Sequence, residues 1–121
     1  MSYRTVEIRW LPHSTAEWQT FTQSRQEAAR LWSDLVVRHA PLRISHFKPD
    51  LLFWYFGFDT HQGDYGDIGL SGPCYWNIAD LMKGSAERVC GGKLEVVLGG
   101  GSHQRLATYL IPPIVQRLAG L

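Results

Sequence analysis

Leu51-Leu52-Phe53-Trp54-Tyr55-Phe56-Gly57-Phe58-Asp59-Thr60-His61-Gln62-Gly63-Asp64 decides how this chain is read. The first six residues form an uninterrupted apolar and aromatic run of strand length. Apolar residues on both faces fit a central parallel strand covered on two sides. The rest is a glycine-containing loop with a carboxylate, Asp59, just beyond the strand. An open α/β sheet places its working groups at the C-terminal ends of its strands. Asp59 is therefore the first candidate for chemistry.

Downstream, the loop from Gly57 to Gly72 carries five of the twelve glycines. Pro73 suits the first turn of a helix. Tyr75, Ile78, Ala79, Met82, Ala86 and Val89 share one side of that helix, and Gly91-Gly92 ends it. Lys93-Leu94-Glu95-Val96-Val97-Leu98 reads as a second strand, with Gly99-Gly100-Gly101-Ser102-His103 a tight loop at its C-terminal end. A last helix holds Leu106, Leu110, Ile114, Val115 and Leu118 and is predicted to kink or restart at Pro112-Pro113. The fold class is α/β. Residues 47–121 form a βαβα fragment of a parallel sheet, with both polar loops on one edge. Strands 51–56 and 94–98 are predicted to be parallel neighbours or one strand apart, with helices at about 73–90 and 104–119. Two strands leave two open edges, so such a unit does not cover its own sheet.

Upstream, Thr5-Val6-Glu7-Ile8-Arg9-Trp10-Leu11 alternates as a half-buried strand does. Ser14-Thr15-Ala16-Glu17 has the form of a capping box. It opens a predicted long amphipathic helix over residues 15–38. Trp18, Phe21, Ala28, Leu31, Trp32, Leu35 and Val36 form its stripe. Pro41 is expected to stop it, leaving residues 42–50 as a connector.

With 121 residues the chain makes one modest domain, able to bury roughly two thirds of its unfolded surface. A composition 45% hydrophobic and 19% charged, at net +1, excludes a strongly basic nucleic-acid binder. The charge is uneven. Residues 1–48 hold 7 Arg/Lys and 4 Asp/Glu, and residues 49–121 hold 5 and 7. The thin positive excess leaves nucleic acid as a minor reading of the N-terminal part, beside a solvated helix face. Cys74 and Cys90 lack paired spacing and read as reduced thiols. No run reaches the ~18 apolar residues of a membrane span, and Met1–Glu7 lacks an apolar signal core. The expected location is cytoplasmic, with no membrane partner.

Asp59, His61, Asp64 and Asp67 put oxygen and nitrogen donors within nine residues, which suits a metal loop. Asp in glycine-rich loops is more commonly a turn former or helix cap. The triple glycine lacks the GxGxxG spacing and the Walker lysine of phosphate cradles. Its glycines let backbone approach the neighbouring loop or a ligand.

Lys48-Pro49-Asp50-Leu51-Leu52, then Gly57-Phe58-Asp59-Thr60-His61-Gln62-Gly63-Asp64, then Leu98-Gly99-Gly100-Gly101 together resemble the C-terminal part of the histone deacetylase family. That family includes acetoin-utilisation and acetylpolyamine deacetylase relatives. The resemblance covers about residues 47–121. It implies a sheet of the arginase/deacetylase type and a zinc-dependent amide hydrolase. It also implies that Asp59 is a metal ligand and that Gly99, Gly100 and Gly101 line the substrate. The family's glycine loop ends in a Tyr that stabilises the oxyanion. Here Ser102 takes that place, or His103 with a shift of one. The family draws an Asp-x-His ligand pair and a His-His dyad from upstream segments, and residues 1–46 match neither. His13, His39 and His46 stand alone. The expectation is a truncated or chimeric deacetylase-like protein without independent catalysis. It should bind zinc weakly or not at all. Its expected partner is another subunit or the remaining deacetylase segment.

Arg4-Thr5-Val6-Glu7-Ile8-Arg9, the helix start at Ser14, and Ala28-Ala29-Arg30-Leu31-Trp32-Ser33-Asp34-Leu35 weakly resemble the start of OrfB-type transposon proteins. The chain then divides into residues 1–46 and 47–121. The alternative readings are a nucleic-acid-binding, transposase-derived module and a subunit completing a deacetylase site.

Overall fold

The computed structural model describes residues 25–121, with side chains described from residue 36. The expected strand at residues 5–11 and the capping box at Ser14 lie outside the described residues. The order is α1 (Arg25–Phe47), β1 (Leu52–Phe56), α2 (Gly72–Cys90), β2 (Leu94–Leu98) and α3 (Gln104–Ala119). The strands pair in parallel, Leu52 opposite Leu94 through Phe56 opposite Leu98. This is the βαβα arrangement expected from the two apolar runs.

Helix α2 is the centre of the packing. Its Ile78 and Met82 meet Val36, Ala40 and Ile44 of α1. Its Tyr75 and Ala79 meet Phe56, Leu110 and Ile114, the last two from α3. Trp54 packs against both clusters. Gly91 closes α2 in the left-handed conformation at φ 63°, and the Gly92 amide donates to the Ala86 carbonyl. Glycine meets that conformation at no steric cost.

The expected end of the first helix near His39 is corrected. Helix α1 continues through Pro41 to Phe47, so the connector is only a few residues long. Proline removes one helical hydrogen bond and costs about 3 kcal/mol in a helix interior. Ala40 and Ile44 continue the buried stripe on α2 past the proline, and that burial opposes the cost. The helix stops at Lys48, whose φ is 54° and whose amide donates to the Ile44 carbonyl, just before Pro49. The predicted restart at Pro112-Pro113 is also corrected. Helix α3 runs through both prolines. Thr108, Tyr109 and Pro112 are exposed, so that side of the helix faces solvent. Val115, expected in the core stripe, is exposed, while Leu110 and Ile114 are buried.

The sheet is covered unequally. Leu52, Trp54 and Phe56 face the helices, but Phe53 and Tyr55 are 58% and 73% exposed. Side chains alternate across a strand, and among the described residues every helix lies on one face. Among the described residues the expected cover on two sides is therefore present on one side only. No described helix is long and apolar enough to cross a membrane.

Candidate metal and acyl site

Both loops that leave the C-terminal ends of the strands meet. The Phe58 amide donates to the Gly100 carbonyl at 2.9 Å, and the Gly99 amide to the Phe56 carbonyl at 2.7 Å. The three glycines of the second loop make this approach possible. A Cβ on Gly100 would lie 2.5 Å from Asp59 Oδ1. One on Gly101, at φ 126°, would lie 2.5 Å from the Phe58 ring. One on Gly99 would strike the Tyr55 ring. Of the two uses open to these glycines, loop-on-loop contact is what the geometry displays.

The four donors of the first loop separate sharply. Asp64 is 8% exposed and is spent on the backbone. Its Oδ1 accepts from the Tyr65 amide at 2.7 Å and the Ser102 hydroxyl at 3.0 Å. Its Oδ2 accepts from the Ser102 and His103 amides, both at 3.1 Å. Asp64 thus latches the first loop to the residues leading into α3, where the helix dipole also favours a negative charge. Asp67 accepts from the Gly63 and Gly69 amides and shapes its own turn. Nδ1 of His61 donates to the Gln62 carbonyl at 2.7 Å. The His61 ring stacks on Tyr75 with centroids 6.0 Å apart.

Asp59 differs from the other two aspartates. Its carboxylate lies among Gly57, Gly66 and Gly100, each of which would bring a Cβ to within 3.0 Å of a carboxylate oxygen. No described side chain or amide donates a hydrogen bond to that carboxylate. The main chain does the holding instead, through the Gly66 amide on the Asp59 carbonyl at 2.9 Å. A half-buried carboxylate held by backbone and left with open lone pairs is suited to a cation or to a donor from outside.

Ser102 and His103, aligned with the Tyr of the resemblance, are both drawn to Asp64. Ser102 gives Asp64 its hydroxyl and its amide, and His103 gives its amide while its ring stays exposed. Nothing in the sequence singled out Tyr65. Its hydroxyl accepts the Gly101 amide at 3.3 Å and lies 3.2 Å from the position of a Gly100 Cβ.

The family model described as a histone deacetylase domain matches residues 16–117. The chain belongs to this family. The match begins well before residue 47, so it takes in α1 as well as the glycine loops. No match was found among curated proteins. The deacetylase family is in general zinc-dependent. Asp59 fits one arm of such a site. Among the described residues, no three His, Cys, Asp or Glu side chains come together as a metal cluster. A catalytic zinc takes three protein ligands, so the described residues do not fit a closed zinc centre.

The latch has a pH signature. Burial works to raise the Asp64 pKa, but the amides of Tyr65, Ser102 and His103 and the Ser102 hydroxyl outweigh it and hold the carboxyl below its ordinary value of 3.8. A carboxyl depressed in the fold adds stability that is complete above its unfolded pKa and disappears as pH falls through the folded one. Asp64→Asn should therefore melt at a lower temperature than the parent at pH 7. The gap should begin to narrow as pH falls below 3.8 and close only as pH passes the lowered folded value, where the parent also loses the charge. Thermal unfolding followed by circular dichroism across pH reads this. A gap that stays constant down to pH ~2 would show that the charge of Asp64 is immaterial.

Proposed function

We propose that this chain contributes the Asp59 arm and the glycine loop of a deacetylase-type amide hydrolase site, and is not catalytic alone. We read it as the C-terminal part of that fold. Another subunit or deacetylase segment supplies the other ligands and the proton-transfer groups. One observation carries this: of three loop aspartates, only Asp59 keeps its carboxylate clear of the described donors, while Asp64 and Asp67 are consumed by amides. The exposed Phe53 and Tyr55 and the two strand edges left unpaired among the described residues support a completing segment beside the sheet.

Zinc, when bound with an open coordination position, polarises an acyl carbonyl and lowers the pKa of its water. What this chain's own residues do is narrower. Asp59 offers carboxylate oxygens, Gly57, Gly66 and Gly100 leave room around them, and Asp64 fixes the second loop against the first.

Metal analysis of the purified chain tests the reading. The expected result is far less than one zinc per chain after desalting, because a lone carboxylate holds zinc weakly. One tightly held zinc per chain would overturn it and would mean that the chain closes its own site.

A further inference from the structure

We propose that the sheet face left bare by the described helices pairs two copies of this chain, face to face about a two-fold axis. Side chains alternate along a strand. Leu51, Phe53 and Tyr55 along β1 therefore share that face with Lys93, Glu95 and Val97 along β2, and all six are exposed. Apolar and aromatic side chains line one strand. A cation and an anion stand two residues apart on the other. Neither Lys93 nor Glu95 has a side-chain partner among the described residues.

This charge order decides the occupant. A two-fold interface must be complementary to itself, so that if one residue meets a second, the second also meets the first. Leu52 and Leu94 lie opposite each other in the register. A two-fold axis running across the strands at that level turns the second copy antiparallel. Lys93 then lies over the partner's Glu95, and Glu95 over the partner's Lys93. Phe53 lies over the partner's Leu51. Two sheets packed face to face interdigitate their side chains across about 10 Å. Apolar burial drives the contact, and the paired charges fix its register. The patch is small beside the roughly 20–30 residues a side of a stable interface, so pairing is expected only at about 10–100 µM chain. This inference goes beyond the deacetylase reading. The antiparallel axis sends the two Asp59 loops to opposite ends of the pair, so neither copy completes the other's site. The strand edges stay free for the completing segment.

Sedimentation velocity of the full chain from ~1 to ~500 µM tests this. The expected result is a shift from monomer to dimer as concentration rises. Lys93→Glu sets carboxylate against carboxylate, and Glu95→Lys sets ammonium against ammonium. Each should weaken pairing about tenfold or more, and the two together should restore it. Phe53→Lys should leave the chain monomeric. Both charged side chains are exposed, so the swaps should leave the helical circular dichroism unchanged. They decide the matter even where Phe53→Lys fails to fold. A parent that stays monomeric throughout would overturn the proposal. So would a dimer indifferent to the single swaps, or a double swap that remains monomeric. Failure here leaves the Asp59 reading standing, because that reading is tested by metal content.

Discussion

The isolated chain should hydrolyse an acetyl-lysine amide no faster than buffer, with or without zinc, and Ser102→Tyr or His103→Tyr should not rescue it. An amide nitrogen leaves only after protonation, and water attacks only as it gives up a proton. General acid–base help for these steps is typically worth ~10²–10⁴ in rate. The His-His dyad implied by the resemblance has no match in residues 1–46, and Asp59 belongs to no group of three potential metal ligands among the described residues. Adding a phenol at residue 102 removes the hydroxyl that latches Asp64 and supplies neither proton transfer nor metal ligands. A discontinuous or fluorogenic deacetylation assay reads the outcome. Turnover by the unmodified chain that Asp59→Ala abolishes would show a self-sufficient site.

The second large effect falls on stability. Gly101→Ala should destabilise the fold by roughly 2–6 kcal/mol, a large fraction of the 5–15 typical of a domain. Two costs combine. Gly101 sits at φ 126°, where L side chains rarely go, and such backbone strain costs about 1–3 kcal/mol. The added methyl would also lie 2.5 Å from the ring of Phe58, which is buried, and overpacking a core costs about 1–3 kcal/mol. Gly63→Ala separates the two terms. Gly63 has φ 93° but nothing within 4 Å of the new methyl, so only the strain cost applies. Urea unfolding of both variants measures the difference. Equal losses would show that the contact of Gly101 with Phe58 does not hold the loops together.

The elements most legible in the sequence were those set by local signals. The apolar run before Gly57, Pro73 at a helix start and Gly91-Gly92 at a helix end each act within a few residues, and β1, α2 and β2 appear where those signals put them. Pro41 misled because the forces that carry α1 past it come from Ile78 and Met82, far along the chain. The loop aspartates were legible as a group but not individually. Asp59, Asp64 and Asp67 are the same residue type in the same glycine-rich stretch. What distinguishes Asp64 is a set of donors 38 and 39 residues away. Tyr65 was invisible for the same reason, since its partner amide lies at Gly101.

Residue-resolved NMR during a zinc titration of the isolated chain tests most directly whether Asp59 alone is the available carboxylate. Weak, saturable shifts are expected at Asp59 and at Gly57, Gly66 and Gly100 around it. Asp64 and Asp67 should keep their amide partners, and Asp59→Ala should abolish the response. Zinc-induced shifts centred on Asp64 or Asp67, or a response unchanged in Asp59→Ala, would contradict it.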